Sequence, residues 1–274
     1  MITRDASVTL DTLLEKMYEA SSHDFRQYRR NTITRRLDRR LQQTRSGSYL
    51  EYAHILDTDH REYRKLTDYL TIYVSSFFRN KVTFQQVAGR VLPELIAAKT
   101  KRGQCSLSFW SAACASGEEP YSIAITLLEY LGQRLSEYDV SIYATDINQS
   151  ALRKARLATY KNRQGLPDDL LERYFTSCGE GYRLKDSVRR MVEFGCFDLL
   201  SAETTPPINA DCIFCCNALI YMQRQLQEKV LNMLYNSLAV PGYLVLGEVE
   251  TLADSLRDKM ETLDAKAKIY KRRQ

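Results

Sequence analysis

Residues 109–125 have the sequence FWSAACASGEEPYSIAI, and this stretch says most about the fold. An apolar strand runs into a turn of small residues that ends at Gly117, and an apolar helix follows. Small side chains let a ligand approach the backbone of such a turn, and the helix start offers free N–H groups. The stretch predicts a cradle for a nucleotide-type cofactor, although close packing of a strand on a helix would favour the same small residues.

Two carboxylates, Glu118 and Glu119, lie at the start of this helix. The positive end of a helix dipole attracts anions, so a diphosphate would prefer a helix start without acidic side chains. We therefore expect a ligand that carries cationic or hydroxyl groups there, such as the amino-acid part of S-adenosylmethionine.

A second strand, YDVSIYATD at residues 138–146, ends in an acidic residue and precedes a helix at about 150–158. In cofactor-binding α/β proteins, an Asp at this position accepts hydrogen bonds from both ribose hydroxyls. Asp146 is therefore predicted to bind ribose. The alternative is that Asp146 and its neighbours only cap the helix that follows.

Strands and helices alternate from residue 106 onward, which predicts a largely parallel sheet covered by helices on both faces. The predicted strands 106–112 and 139–145 are each followed by a helix, at 119–132 and 149–158, with further strands and helices at 211–216, 223–238, 242–248 and 266–272. A mixed segment at 160–198 contains the tight turn CGEGY, which predicts a small β-subdomain at about 160–190. We expect an N-terminal helical domain at 1–88 and a cofactor-binding domain at 89–274.

The composition excludes several classes of protein and site. No apolar run approaches the roughly 20 residues of a membrane span, and the N-terminus lacks the apolar core of a signal peptide, so we expect a cytoplasmic protein. The seven cysteines include a C-x-x-C pair at Cys212 and Cys215, but this pair lies in an apolar strand, with no histidine beyond His60. We expect reduced, buried thiols and no metal site. The early position of all three histidines also disfavours histidine-based catalysis.

The segment from Arg26 to Arg45 contains eight arginines and no lysine. Arg29, Arg36 and Arg40 recur at helical spacing, so one helix is predicted to present a cationic face to a polyanionic partner. A merely solvated surface is the alternative. Nucleic acid is another candidate polyanion, but no RNA-binding signature accompanies the arginines and the net charge is only +5.

Five motifs resemble, in order and at similar spacing, those of the CheR-type chemoreceptor glutamate methyltransferases. They are SFFRN at 76–80, GEEPYSIAI at 117–125, YATDIN at 143–148, FCCNALIY at 214–221 and GYLVLGE at 242–248. The resemblance covers nearly the whole chain and implies an α/β fold: a Rossmann-like, S-adenosylmethionine-dependent methyltransferase sheet with an N-terminal all-helical domain and a small β-subdomain. It implies methyl transfer to glutamate side chains of bacterial chemoreceptors, with S-adenosylhomocysteine as the other product.

The resemblance also assigns roles to individual residues. Arg79 and Tyr221 would act at the reacting groups, and Arg29, Arg36 and Arg40 would dock on the acidic helices of the receptor. The implied cofactor contacts are Tyr73, Ser75, Arg79, Ala113, Glu119, Asp146, Asp198, Leu199, Asn217 and Ala218. We further expect a monomer that neither binds nucleic acid nor inserts into a membrane.

The chain departs from the family pattern at four positions. Asp198 stands where many relatives have Asn and Ser75 where they have Thr, but these changes keep an acceptor and a hydroxyl. Tyr73 stands where relatives commonly have Asn, and Cys216 stands where they commonly have Arg. The loss of the amide at Tyr73 leaves a non-catalytic, S-adenosylmethionine-binding adaptor as an alternative function. A nucleic-acid methyltransferase is a further alternative.

Overall fold

The computed structural model describes residues 9–21, 23–72, 74–200 and 208–273. The chain forms two compact units, one of Met1–Ile72 with Tyr221–Gln227 and one of Tyr73–Ile220 with Glu228–Gln274. This division lies earlier in the chain than the predicted boundary after residue 88. The reason is that Val87 and Val91 are buried in the same core as the strands of the second unit, so the helical segment around them folds with the sheet.

The first unit consists mainly of four helices, as the sequence predicted. They are α1 (Leu10–Ser21), α2 (Arg30–Thr44), α3 (Tyr49–Thr58) and α4 (His60–Leu70). Ser48 and Asp59 cap α3 and α4, because their side chains accept hydrogen bonds from backbone N–H groups of the first turn. The helices bury a shared apolar core that includes Leu13, Met17, Phe25, Ile33, Leu37, Leu41, Tyr52, Leu56 and Leu66.

The second unit is built on a seven-stranded sheet of order β6-β2-β1-β7-β8-β10-β9. Its strands are β1 (Ser106–Ala112), β2 (Asp139–Asp146), β6 (Val192–Cys196), β7 (Ala210–Cys215), β8 (Leu238–Leu246), β9 (Met260–Asp264) and β10 (Ile269–Arg272). Five neighbouring strands of the sheet are parallel to one another, namely β6, β2, β1, β7 and β8. Strands β10 and β9 continue the sheet in antiparallel pairing. The parallel strands therefore end at one common edge of the sheet.

Helices flank these strands along the chain. They are α5 (Lys81–Gln86), α6 (Leu92–Lys101), α7 (Glu118–Leu131), α8 (Gln149–Leu157), α9 (Asp168–Tyr174), α10 (Asp186–Arg189) and α11 (Arg224–Asn236). A π-helical turn at Val87–Val91 joins α5 to α6. Trp110, Phe109 and Phe214 on β1 and β7 are fully buried, as expected for central parallel strands covered on both faces.

A separate three-stranded sheet has the order β3-β5-β4 and is antiparallel. Its strands are β3 (Thr159–Tyr160), β4 (Phe175–Cys178) and β5 (Gly181–Leu184). This sheet is the predicted small β-subdomain, and with it the predicted α/β fold class is confirmed. No helix in the described part of the chain is long and apolar enough to cross a membrane.

The seven cysteines are all free thiols. Cys114, Cys212 and Cys215 are buried, as predicted, but Cys105, Cys178 and Cys196 are exposed. The prediction of uniformly buried thiols was therefore wrong. The exposed thiols lie at or just outside the ends of strands, where the chain leaves the core. Among the described residues, no three His, Cys, Asp or Glu side chains are grouped so that they could hold a metal ion.

Candidate functional site

The small-residue turn after β1 has an unusual backbone. Ala113, Ala115 and Gly117 have φ values of 61°, 49° and 94°, in the left-handed region that side chains disfavour. A Cβ at Gly117 would lie 2.9 Å from the Cβ of Ala155, so glycine is required there. Such backbone strain clusters at ligand-binding sites, and here it leaves a turn with little side-chain cover at the carboxyl end of the central strand.

Asp146 ties the end of β2 to this turn. Its Oδ2 accepts a hydrogen bond from the Ala115 N–H at 2.8 Å, and its Oδ1 accepts from the Asn148 N–H at 2.8 Å. The cap of α8 is Asn148, whose Oδ1 accepts from the Ala151 N–H. The alternative of a helix cap in this segment is therefore confirmed for Asn148, while Asp146 accepts from the N–H of that cap residue. Burial raises the pKa of Asp146, and its backbone hydrogen bonds oppose that shift.

Glu119 lies in the first turn of α7. Its Oε1 accepts a hydrogen bond from the Ser111 hydroxyl at 2.7 Å. Burial raises the pKa of Glu119 to about 7, and the negative charge of Glu250 raises it as well. Hydrogen bonds from Ser111 and Cys216 and the positive charge of Arg79 lower this pKa. The structure thus brings Cys216, Glu250 and Arg79 within electrostatic reach of Glu119.

The segment before α5 carries the predicted residues Ser75 and Arg79. The Phe78 N–H donates to the Ser122 hydroxyl at 2.9 Å, and Ser122 in turn donates to the Glu118 carbonyl, so the segment is fixed to the start of α7. Arg79 is exposed, and its Nη1 donates to the Val74 carbonyl at 2.7 Å. Tyr73, the departure from the family pattern, lies outside the described residues.

Asp198 and Leu199 follow β6, next to the end of β2. Leu199 is buried, and Asp198 Oδ1 accepts a hydrogen bond from the Leu200 N–H at 2.8 Å. The Phe197 N–H donates to the Asp146 carbonyl at 3.2 Å, which holds this segment beside the predicted ribose-binding residue. The sequence placed these residues in the site only through the family resemblance.

Asn217 and Ala218 begin the loop after β7. Asn217 has a φ of 61°, and its side-chain Oδ1 is buried without a hydrogen-bond partner among the described residues. The loop is held by the carboxylate of Glu250, which accepts hydrogen bonds from the N–H groups of Asn217, Leu219 and Ile220. Glu250 was not predicted from the sequence. Its only local signal is an acidic residue just past the strand-end motif GYLVLGE.

These residues fit S-adenosylmethionine. Glu119 and Asp146 place hydrogen-bond acceptors at the bare backbone turn, and Asn217 adds an unpartnered Oδ1 at the end of the adjacent strand β7. Such a set suits a ligand that presents an ammonium group and ribose hydroxyls, and it does not suit a diphosphate. Both the turn and the acceptors lie where parallel strands of an α/β sheet commonly bind nucleotide cofactors.

The remaining predicted residues belong to the first unit. The Tyr221 carbonyl accepts a hydrogen bond from the Arg29 N–H at 2.7 Å. Arg36 donates from Nε to the Tyr69 carbonyl at 2.7 Å, and burial lowers the pKa of its guanidinium. Arg40 forms an ion pair with the buried Glu62 at 2.8 Å. Arg29 Nε also donates to the Met222 carbonyl at 3.4 Å, so the side chains of all three predicted docking arginines are engaged within their own unit.

Comparison with known proteins identifies the family. A sequence model described as the CheR methyltransferase SAM-binding domain matches residues 73–269, and one described as the CheR methyltransferase all-alpha domain matches residues 9–71. This chain belongs to the CheR methyltransferase family. The predicted resemblance is confirmed. As a member, the chain is a methyltransferase that uses S-adenosylmethionine, in agreement with the acceptors found at the strand ends.

Several curated proteins are similar to this chain. A chemotaxis protein methyltransferase of Vibrio parahaemolyticus is 38% identical over 199 residues, which cover 71% of this chain and 70% of that protein. Chemotaxis protein methyltransferase 1 of Pseudomonas aeruginosa is 33% identical over 80% of this chain and 81% of its own length. An uncharacterized 104.1 kDa protein of Rhodobacter capsulatus is 29% identical over 95% of this chain, which spans only 27% of that longer protein.

Proposed function

We propose that this protein transfers methyl groups from S-adenosylmethionine to glutamate side chains of bacterial chemoreceptors, giving glutamate methyl esters and S-adenosylhomocysteine. The observation that carries the proposal is the match of both CheR domains, in order, in one chain that is 33–38% identical to chemotaxis protein methyltransferases. The acceptor-rich edge of the sheet supports the choice of methyl donor.

Methyl transfer to a carboxylate does not require a general acid or base from the protein. When bound, S-adenosylmethionine supplies an electrophilic methyl group. A glutamate carboxylate is already ionised at neutral pH, so its oxygen forms the new O–C bond while the C–S bond breaks and its electron pair stays on sulfur. No proton moves in this step. The protein must therefore align the reactants and exclude water, which agrees with a second unit whose sequence contains no histidine.

The side chains around the turn divide this work. We assign Glu119 to the ammonium of the cofactor, Asp146 to the ribose hydroxyls, and Asp198 with Leu199 to the adenine edge. Asn217 and Ala218 line the floor together with Ala113, and Ser75 completes the pocket. Arg79 orients a carboxylate, and its exposure leaves it accessible to an incoming protein side chain. Tyr221 acts near the methyl group. These assignments rest on family resemblance and on the hydrogen bonds described above.

Helix α2 remains the proposed docking surface for acidic receptor helices, with a refined set of residues. Arg36 and Arg40 bind Tyr69 and Glu62 and so stabilise the helical unit. Arg29, Arg35 and Arg39 are exposed and provide the positive charge that a partner can reach. Charges of this kind steer association and make its rate depend on salt.

A charge reversal with a matched control tests this substrate assignment. Arg35→Glu with Arg39→Glu should lower the rate of receptor methylation about tenfold or more at low salt, while the affinity for S-adenosylhomocysteine stays unchanged. Arg61→Glu with Arg64→Glu makes the same charge change on exposed positions of α4 and serves as the control. Equal methylation by both double variants would contradict docking through α2. Competition by DNA as strong as by an acidic receptor fragment would favour a nucleic-acid substrate instead.

A further inference from the structure

The side chain of Glu250 makes an unusually complete set of backbone contacts. Glu250 is only 3% exposed. Its Oε2 accepts hydrogen bonds from the N–H groups of Gly247 at 2.7 Å and Asn217 at 2.9 Å. Its Oε1 accepts from the N–H groups of Leu219 at 2.8 Å and Ile220 at 3.3 Å. One buried carboxylate thus satisfies four backbone donors from the ends of two adjacent parallel strands.

The loop of residues 217–220 needs such an acceptor. It leaves β7 with a left-handed residue, Asn217, so its N–H groups cannot continue the pairing of the sheet. Buried N–H groups without a partner are strongly unfavourable, and a charged acceptor makes stronger hydrogen bonds than a neutral one. Glu250 therefore supplies acceptors for three N–H groups of this loop.

Gly247 allows the two strand ends to approach closely enough for these bonds. A Cβ at Gly247 would lie 2.8 Å from the Asn217 nitrogen and 2.8 Å from Glu250 Oε2. Contacts this short force a shift of backbone or of the carboxylate. Gly247 and Glu250 therefore hold the loop of residues 217–220 together, and we call this pair the clasp.

We propose that Glu250 is a positioning residue, which holds residues 217–220 so that Asn217 and Ala218 form the floor of the cofactor site. Glu250 does not itself touch the cofactor, because its two oxygens are each engaged by two backbone N–H groups. The buried, unpartnered Oδ1 of Asn217 is the group whose placement depends most directly on the clasp. The inference rests on the proposed cofactor contacts of Asn217 and Ala218.

The test compares cofactor affinity with stability in four variants. Glu250→Gln keeps the shape of the side chain but replaces one acceptor oxygen by a donor, so it should weaken S-adenosylhomocysteine binding about tenfold or more in calorimetry. Glu248→Gln, two residues away and exposed, should change affinity less than twofold. Glu62→Gln alters a buried acid in the helical unit and should lower stability while leaving the affinity unchanged. Gly247→Ala should weaken binding like Glu250→Gln.

Combining Gly247→Ala with Glu250→Gln should weaken binding by less than the product of the two single effects, because both act on one clasp. Amide hydrogen exchange of residues 214–222 should become faster in either single variant, and Gly247→Ala provides this measurement if Glu250→Gln does not fold. Wild-type affinity in a folded Glu250→Gln or Gly247→Ala protein would overturn the inference. The assay needs no receptor. Failure of the wild type to bind the cofactor would count against the proposed site, and failure to methylate receptors would leave this result unaffected.

Discussion

Glu119→Gln should stabilise the cofactor-free protein at high pH and weaken cofactor binding. Burial raises the pKa of the Glu119 carboxyl to about 7 from its ordinary value of 4.5. The folded protein therefore keeps a proton that the unfolded chain releases at lower pH. For an acid with a raised folded pKa, stability is fully present below about pH 4.5 and is lost as the pH rises to about 7.

The size of this effect follows from the two pKa values. The difference between 4.5 and about 7 corresponds to at most about 3 kcal/mol of unfolding free energy. Glu119 is partly accessible to solvent, so screening should reduce this to about 1–2 kcal/mol. Glutamine keeps an acceptor for the Ser111 hydroxyl and does not titrate, so the variant should gain this stability at pH 8 and little or none near pH 4.5.

Urea unfolding of both cofactor-free proteins at pH 5 and pH 8 measures the difference directly. Glu118→Gln removes a carboxylate from the same helical turn and controls for the loss of charge at the helix start. Glu119→Gln should also lose about tenfold or more in affinity for S-adenosylmethionine, since it removes the proposed ionic partner of the ammonium group. A stability difference that is equal at both pH values would refute the reasoning about burial.

Three further substitutions probe separate parts of the account. Asp146→Ala removes the proposed ribose acceptor and leaves the Ala115 N–H without its partner, so calorimetry should show binding of S-adenosylhomocysteine weakened by about 1.5–3 kcal/mol. Arg79→Ala should lower turnover on receptors by about a hundredfold through lost alignment, measured at saturating cofactor. Arg40→Met breaks a buried ion pair and should lower the unfolding free energy by about 3 kcal/mol in urea, whereas Arg39→Met at an exposed position should change it by about 0.5 kcal/mol or less.

Local sequence patterns were sufficient to predict the strand, the small-residue turn and the helix at residues 106–131. The small residues before Gly117 and the acid at the end of β2 belong to a local strand–turn–helix pattern. This pattern can be recognised in the sequence without knowledge of what packs nearby. The central strands were equally clear because they are buried on both faces. The edge strands β6 and β9 were not predicted as strands, since their residues are largely half-buried or exposed and carry little apolar pattern.

Residues whose role depends on distant contacts could not be predicted in this way. Helical spacing placed Arg36 and Arg40 on a common face, but their partners, Tyr69 and Glu62, come from another helix. Glu250 was missed for the same reason, because its acceptor role depends on a loop more than 30 residues earlier in the chain. Spacing shows which residues share a face, and only the packed structure shows what that face meets.

The most direct test of the central claim is the chemistry of the transferred methyl group. The purified protein is incubated with methyl-labelled S-adenosylmethionine and membranes that contain chemoreceptors, and the labelled receptor is then treated with alkali. A glutamate methyl ester should release its label as volatile methanol, and replacement of the receptor's acceptor glutamates by alanine should abolish labelling. Alkali-stable label, or no transfer to any receptor by a protein that binds the cofactor, would contradict the account.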